Sequence, residues 1–341
     1  MEIKKKRILT GDRPTGRLHL GHFIGALKQR LDLEDQYEQY IIIADIQALS
    51  DNFDNPEKVR ENTIQVLLDN LAVGLNPEKT TFYLQSHIPA THELFMYFAN
   101  FVSIEQLSHN PTIKTELKEK KETKTTFAKS TPLGFFVYPV HQVADIMTVN
   151  ADLVPVGEDQ LPHVELTRDV VKKFNATYKT NLFNVPAARI TKISRLVGTD
   201  GNAKMSKSLG NCIYISDETS VVRKKIMSMY TDPDRIHATD PGKVEGNPVF
   251  IYHDAFNTNI DEVNDLKSRY LKGKVGDVEV KEKLFLAIEK ILTPIRERRL
   301  GYEKRIDDVY DILNTGTNKV RTISNEILYK TKQAVGIYTI K

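Results

Sequence analysis

Two short motifs hold the residues best suited to chemistry. The first, His19-Leu20-Gly21-His22, follows a predicted strand and turn and begins a predicted helix. Two histidines three residues apart lie on one helical face. The free backbone N–H groups at a helix start attract phosphate, and a glycine there lets a flat base or ribose approach the backbone. A motif this short also fits two surface histidines or two metal ligands, so its interpretation depends on a second motif.

The second motif is Lys204-Met205-Ser206-Lys207-Ser208, in the second half of the chain. Two lysines and two hydroxyl groups within five residues can hold a polyphosphate by charge and hydrogen bonds. The flanking glycines at 198, 201 and 210 allow such a loop to move. Taken alone, the pentapeptide is also typical of a basic surface loop.

A third polar set lies on an apolar helix predicted over residues 133–150. Tyr138, Gln142 and Asp145 span two helical turns and share a face. Aspartate is rarely buried without a partner. Asp145 is therefore either a binding residue or an ordinary helix carboxylate.

Alternating strand and helix patterns must position these groups. We predict strands over 7–11, 40–45, 81–84 and 152–156, and further helices over 56–73, 91–108 and 158–174. Such alternation predicts βαβ units in a Rossmann-like doubly wound parallel sheet, which is an α/β fold. Helical patterns dominate from about residue 215 onward. We therefore predict a catalytic domain over 1–212 and an all-helical C-terminal domain over 213–341.

A charged segment over residues 110–131 interrupts this rhythm. It contains KTELKEKKETKTTFAKS, with alternating charge and little apolar content. A solvated helix or mobile loop is the simpler interpretation. The alternative is a loop that contacts phosphate or gates a substrate.

Composition limits the remaining classes. The chain of 341 residues is 40% hydrophobic, which is typical of a folded soluble protein, and its single cysteine excludes an internal disulfide or a multi-cysteine zinc site. No apolar run is long enough for a membrane span or a signal peptide, so we expect a cytoplasmic protein. The net charge of +3 requires any nucleic-acid partner to meet a local basic patch. The candidates are Arg296, Arg298, Arg299, Lys304 and Arg305, and a second run at Arg223, Lys224 and Lys225.

The pairing of HLGH with KMSKS, in this order, resembles the class I aminoacyl-tRNA synthetases. Three stretches resemble the tryptophanyl-tRNA synthetases more specifically: residues 10–27 (TGDRPTGRLHLGHFIGAL), 138–146 (YPVHQVADI) and 154–169 (VPVGEDQLPHVELTRD). Together with KMSKSLGN they spread over most of residues 8–212. Many bacterial members carry methionine where this chain has Gln142. The spacing of Tyr138, Gln142 and Asp145 instead resembles tyrosyl enzymes, so tyrosine stays the alternative amino acid.

The resemblance implies a role for each candidate residue. His19, His22, Lys204 and Lys207 are the implied catalytic residues. Asp145 is the implied acceptor of the indole N–H, and Tyr138, Gln142 and Gln160 would hold the amino-acid end or its neighbours. The implied ATP-binding residues are Arg13, Pro14, Thr15, Gly21, His22, Gly157, Glu158, Asp159, Leu196, Lys204, Met205, Ser206, Lys207 and Ser208.

The implied reaction joins tryptophan to ATP as an adenylate and then transfers it to tRNA(Trp). Mg²⁺ would be carried on the ATP phosphates, with no dedicated metal site in the protein. The resemblance also implies a homodimer. A synthetase-like protein that senses its ligands without catalysis is an alternative of another class, but degenerate motifs would be expected of it and both motifs here are intact.

Overall fold

The computed structural model describes the chain except residues 1–4, 123–129, 191–195, 202–204, 208, 233–234, 236, 238 and 339–341. For residues 119–122 only the backbone is described. Lys204 and Ser208, two of the predicted site residues, therefore lie outside the described residues.

Five parallel strands form the central sheet. They are β1 (Arg7–Asp12), β2 (Glu38–Ile43), β3 (Thr80–Leu84), β4 (Leu153–Val156) and β5 (Ala187–Ile190), in the order β3-β2-β1-β4-β5. The order reverses between β1 and β4, so the chain leaves these two neighbours toward opposite sides. This confirms the predicted doubly wound α/β sheet. In such sheets, ligands bind in the crevice at the carboxyl ends of the strands where the order reverses.

Helices cover both faces of the sheet. Their bounds are α1 (Leu20–His22), which continues through a π-helical segment (Phe23–Leu27) into α2 (Lys28–Leu33), then α3 (Asp45–Leu49), α4 (Pro56–Val73), α5 (Pro89–Ala99), α6 (Ile104–Ser108), α7 (Pro111–Glu122), α8 (Leu133–Thr148), α9 (Leu161–Thr177), α10 (Thr219–Met227), α11 (Pro248–Phe256), α12 (Ile260–Leu271), α13 (Asp277–Glu303) and α14 (Ile306–Val335). The helical C-terminal region is thus confirmed.

The core lies in two apolar clusters, and alternate residues of β2 enter different ones. Ile41 and Ile43 pack with α4 and α13, whereas Tyr40 and Ile42 pack with α5 and α8. Successive side chains of a strand point to opposite faces. A strand buried on both faces therefore reads as the continuous apolar run seen in the sequence.

Two parts of the predicted element order are wrong. The helix predicted over 91–108 is two helices, because Ser103 caps a new one: its side chain accepts the N–H of Gln106 at 3.1 Å, and serine favours that position. Strand β5 was not predicted. It has four residues and is mostly exposed, so it lacks the apolar pattern of a buried strand.

The C-terminal helices pack directly against the elements of the sheet region. Helix α13 lies along α4, and α14 lies along β3. A Cβ added at Gly316 on α14 would meet the carbonyl oxygen of Phe82 at 2.0 Å, and the hydroxyl of Thr317 accepts the N–H of Leu84 at 3.1 Å. The domain boundary at residue 212 stays a prediction. Within the described part of the chain, no helix is long and apolar enough to cross a membrane.

Candidate active site

The HLGH motif begins α1 directly beyond the carboxyl end of β1. His19 is the N-cap, and its Nδ1 accepts the N–H of Gly21 at 3.1 Å. The backbone N–H of His19 donates in turn to Nδ1 of His22 at 3.2 Å. The two ring centroids are 3.9 Å apart. These reciprocal bonds fix both imidazoles at a helix start, where the positive end of the helix dipole favours a phosphate.

The segment after the KMSKS motif is paired with HLGH through the backbone. Leu20 donates to the carbonyl of Ile213 at 2.9 Å, and Ile215 donates to the carbonyl of Leu18 at 3.0 Å. Nζ of Lys207 donates to the carbonyl of Gly16 at 2.6 Å. The two motifs, separated by most of the catalytic domain in sequence, therefore form one wall.

The described residues of KMSKS are themselves held in place. Met205 donates its N–H to the carbonyl of Leu196 at 3.1 Å, and Ser206 donates to Oδ1 of Asn211 at 2.8 Å. A Cβ added at Gly21 would lie 3.0 Å from the His19 ring and in ordinary van der Waals contact, 3.5 Å, with the sulfur of Met205. Glycine at that position thus keeps room for the His19 imidazole.

Lys207 is a buried cation. Burial lowers its pKa to about 8, and the carboxylates of Asp12 and Asp69 oppose that shift. At pH 7 the amine is still protonated by about ten to one. Asp12 does not neutralise it, because its carboxylate is paired with buried Arg30 at 2.6 Å. The wall therefore carries a poorly solvated positive charge, which favours an anionic ligand.

Asp69 holds the backbone just before the HLGH motif, and it was not among the residues predicted from the sequence. Its Oδ2 accepts the N–H of Leu18 at 2.7 Å, and its other oxygen pairs with Arg299 of α13. Burial raises the pKa of Asp69 to about 6, with Arg299 acting against the rise. The available sequence indication was a lone aspartate within an apolar helical run, VLLDNLAV.

The carboxyl end of β4 is followed directly by Gly157, Glu158, Asp159 and Gln160, and the first three of these were predicted at this strand end. A short 3-10 helix, Glu158–Gln160, turns the chain there. A Cβ added at Gly157 would lie 2.8 Å from Oδ1 of Asp159, so glycine permits this turn. Thr112 on α7 donates to the carbonyl of Asp159 at 2.8 Å.

The turn after β1 carries the predicted residues Arg13, Pro14 and Thr15. The Arg13 guanidinium lies 3.5 Å from the carboxylate of Asp51. Thr15 donates its N–H to the carbonyl of Arg13 at 2.8 Å. The positive charge of Arg13 also contributes to lowering the pKa of Lys207.

Asp145 lies on α8 and is only 4% exposed. Nε2 of Gln85, just after β3, donates to both of its carboxylate oxygens at 2.9 Å. Among the described residues, the side-chain oxygens of Gln142 and Tyr83 are buried and have no hydrogen-bond partner. Burial and the charge of Asp145 raise the pKa of Tyr83. Unsatisfied buried oxygens beside a buried carboxylate indicate a pocket that a polar ligand would complete.

Tyr138 lies on the same helix, but its hydroxyl is already engaged. It donates to Glu116 of α7 at 2.9 Å and lies 3.1 Å from Nε2 of His163. Burial lowers the pKa of His163 to about 4. The first part of the charged 110–131 segment is thus a helix that touches both α8 and the β4 end. Its residues 123–129 lie outside the described ranges.

Most of the proposed basic patch is structural. Arg299 pairs with Asp69, Arg298 donates to the carbonyls of Ala72 and Val73 at 2.6 and 3.2 Å, and Arg296 pairs with Glu289. Lys304, Arg305 and Lys224 are exposed. Within the described ranges, no group of three or more histidine, cysteine or acidic side chains is arranged to hold a metal ion.

Comparison with known proteins adds three findings. Residues 1–293 match the family model of class I tRNA synthetases (W and Y). The chain is 48% identical to a tryptophan–tRNA ligase of Clostridium longisporum, over 98% of each chain, and 49% identical to one of Streptococcus mutans, over 98% of this chain and 99% of the other. Its fold is similar to the crystal structure of a Campylobacter jejuni tryptophanyl-tRNA synthetase complexed with ADP and tryptophan. That similarity has a TM-score of 0.83 at 30% identity and covers 97% of this chain and all of the other.

Proposed function

The chain belongs to the tryptophanyl-tRNA synthetases of the class I tRNA synthetase family, and from that premise we propose how its residues activate tryptophan with ATP and transfer it to tRNA(Trp). In the first step, the tryptophan carboxylate attacks the α-phosphorus and pyrophosphate leaves. In the second, the terminal ribose hydroxyl of the tRNA attacks the adenylate carbonyl, the bond between that carbonyl carbon and the phosphate oxygen breaks, and AMP leaves. Neither step needs a covalent enzyme intermediate.

The observation that carries the proposal is the single wall formed by HLGH and KMSKS. His19 and His22 serve the α-phosphate side, and Lys207, with Lys204, serves the leaving pyrophosphate. Lys207 already reaches the Gly16 carbonyl beside the first motif at 2.6 Å, which supports this assignment. Catalysis then consists of positioning the reactants and stabilising charge on phosphoryl oxygens.

Adenosine takes the crevice between the β1 and β4 ends. Gly21 gives close approach on one side, and Gly157, Glu158 and Asp159 line the other. Leu196, Met205, Ser206 and Ser208 complete the nucleotide side, with Arg13, Pro14 and Thr15 near the phosphates. Mg²⁺ enters on the ATP phosphates, since this ion commonly keeps its waters and binds through substrate oxygens.

Asp145 selects tryptophan. Indole is a large apolar body with one N–H donor, and a buried carboxylate supplies one acceptor. The side-chain oxygen of Gln142, which has no hydrogen-bond partner among the described residues, serves the amino-acid end of the substrate. Gln160 and Tyr138 join it in that role. Tyrosine carries a donor on a shorter ring system, so it would leave apolar surface wet and Asp145 poorly satisfied. The tyrosyl alternative is not favoured, because the similar curated relatives are tryptophan–tRNA ligases.

ATP–pyrophosphate exchange with all twenty amino acids tests this assignment. Tryptophan should be preferred over tyrosine by at least about a thousandfold, at roughly 1.4 kcal/mol per tenfold. Asp145→Ala should remove most of that preference, whereas Asp169→Ala, an exposed control on α9, should leave it unchanged. Faster exchange with tyrosine would overturn the tryptophan assignment. Equal exchange with both would remove Asp145 from specificity.

Three further parts of the proposal concern location, assembly and the tRNA. The protein works in the cytoplasm as a homodimer. The homodimer is supported by the exposed apolar side chains of Met96, Ile104 and Leu133, which are 60%, 71% and 74% exposed. Light scattering measures that state. The tRNA meets the helical region over residues 213–341, where Lys224, Lys304 and Arg305 are exposed cations.

A further inference from the structure

Behind the proposed indole acceptor lies a chain of side chains that the mechanism above does not use. His141 is on α8 one turn before Asp145, and its Nδ1 lies 3.5 Å from the Asp145 carboxylate. Its Nε2 lies 3.0 Å from Nδ1 of His92 on α5. With Gln85, which donates to both Asp145 oxygens, these side chains form one network drawn from three segments of the fold.

The orientation of Gln85 is fixed by the backbone. Its Oε1 accepts the N–H of Gln47 at 3.0 Å, so its Nε2 must face Asp145. Both carboxylate oxygens of Asp145 are 2.9 Å from Nε2 and lie close together, so they share one hydrogen of that amide. The other hydrogen is left for Nδ1 of His141, which is 3.3 Å from Nε2.

This arrangement selects one tautomer of His141. A neutral imidazole has one donor and one acceptor nitrogen. Nδ1 of His141 faces the second hydrogen of Gln85, so in the neutral ring it accepts that hydrogen and Nε2 carries the proton. Nε2 then donates to Nδ1 of His92. Burial lowers the pKa of His92, which keeps that ring neutral, whereas the charge of Asp145 overcomes the effect of burial and raises the pKa of His141.

We propose that His141, held in this tautomer by His92, is a positioning residue: it orients the Gln85 amide and, through that amide, the Asp145 carboxylate that accepts the indole N–H. The inference rests on the proposed function, in which Asp145 is that acceptor. Donors on the far side of a carboxylate set the direction of its remaining lone pairs, as the outer partners of metal ligands do. His141 also packs 5.6 Å from the Phe95 ring, so its test must separate orientation from packing.

The test compares tryptophan with its benzothiophene analogue, in which sulfur replaces the indole N–H. The ratio of their kcat/KM values in ATP–pyrophosphate exchange measures how well Asp145 reads that N–H. A hydrogen bond to a charged group is worth about 1.5–3 kcal/mol, so the ratio in the unaltered enzyme should be about 10–150. His141→Leu keeps apolar packing but removes the acceptor for Gln85, and it should lower the ratio by about tenfold or to unity. KM for ATP should not change.

His141→Asn is the conservative variant, because its Oδ1 is an acceptor that branches from Cγ as Nδ1 does. It should keep the ratio within about threefold of the unaltered enzyme, a change of under about 1 kcal/mol. His92→Leu removes the constraint on the tautomer and should lower the ratio less than His141→Leu. His109→Leu, an exposed histidine on α6, is the matched control and should have no effect.

The outcomes separate this inference from the proposed function. If His141→Leu slows both substrates equally, the ratio is unchanged, His141 only packs and the inference is wrong. If Asp145→Ala lowers the ratio to unity while both His141→Leu and His92→Leu preserve it, the inference fails and the function stands. If Asp145→Ala preserves the ratio, Asp145 is not the acceptor and both fail. Should His141→Leu not fold, the same comparison is made with His92→Leu.

Discussion

Replacing Lys207 by methionine tests the mechanism most directly. The change keeps the length and apolar stem of the side chain but removes a buried cation whose Nζ lies 2.6 Å from the Gly16 carbonyl. Two unit charges 4 Å apart interact by about 4 kcal/mol at an effective dielectric of 20, and losing one preorganised donor typically costs about 3 kcal/mol. Adenylate formation should therefore slow by about a hundredfold or more. Tryptophan binding should be nearly unchanged.

The pH dependence gives the same residue a second signature. Protonated Lys207 is the active form, and burial lowers its pKa to about 8. As pH rises through that value, the enzyme loses the cation and kcat/KM for ATP should fall, since this parameter reports the free enzyme. Lys207→Met should lack this alkaline limb. Lys224→Met, an exposed control on α10, should keep it.

The assay is favoured by the composition of the chain. It contains no tryptophan residue, so tryptophan-selective excitation reports the substrate alone. Single-turnover mixing with ATP gives the rate of adenylate formation, and titration without ATP gives tryptophan affinity. An unchanged single-turnover rate in Lys207→Met would remove this lysine from the mechanism. A loss of tryptophan affinity would show that Lys207 supports the amino-acid pocket rather than stabilising the leaving pyrophosphate.

Three other substitutions probe the frame around the site. Arg299→Met leaves Asp69 buried without its partner and should cost about 3–5 kcal/mol in urea unfolding, with much of the loss recovered by adding Asp69→Leu; an additive double variant would contradict the pairing. Gly316→Ala should lower the free energy of unfolding by about 1–3 kcal/mol, because its Cβ would collide with the β3 backbone. Gly301→Ala, at a helical glycine with open space around it, should raise the free energy of unfolding by about 0.5–1 kcal/mol. Equal shifts of the two variants in thermal unfolding would refute this expectation. Gly16→Ala places a side chain at φ +147 and 3.0 Å from Lys207, so it should slow adenylate formation about tenfold with tryptophan affinity kept, and a normal rate in the single-turnover assay would count against this wall.

The sequence predicted the elements whose patterns are local. Strand β2 is a continuous apolar run, and a helix starts at Pro56 with a capping asparagine before it, so both followed from composition and turn chemistry. Strand β5 could not be predicted, because its four mostly exposed residues show no periodic pattern of apolar side chains. The break after α5 depends on one capping serine, which a helical window over 91–108 averages away.

The site divides in the same way. HLGH and KMSKS were identified as candidate phosphate-binding motifs, because their pairing in this order is distinctive although each motif alone is not. The supporting side chains Asp69, Gln85 and His141 were not assigned, because their roles depend on contacts between segments distant in sequence. Asp69 meets Arg299 across 230 residues, and Gln85 meets Asp145 across 60. No local pattern records such a pairing.

The position of α14 against β3 has a consequence for how the chain is made. β3 is an outer strand of the sheet, and its Leu84 N–H is satisfied by Thr317, which lies 233 residues later. At roughly 5–20 residues per second, the ribosome needs about 10–50 s to supply that partner. During this interval the strand's outer edge can template pairing with another chain. Changes in the last helix would thus reduce the yield of folded protein during synthesis, before any effect on catalysis could be measured.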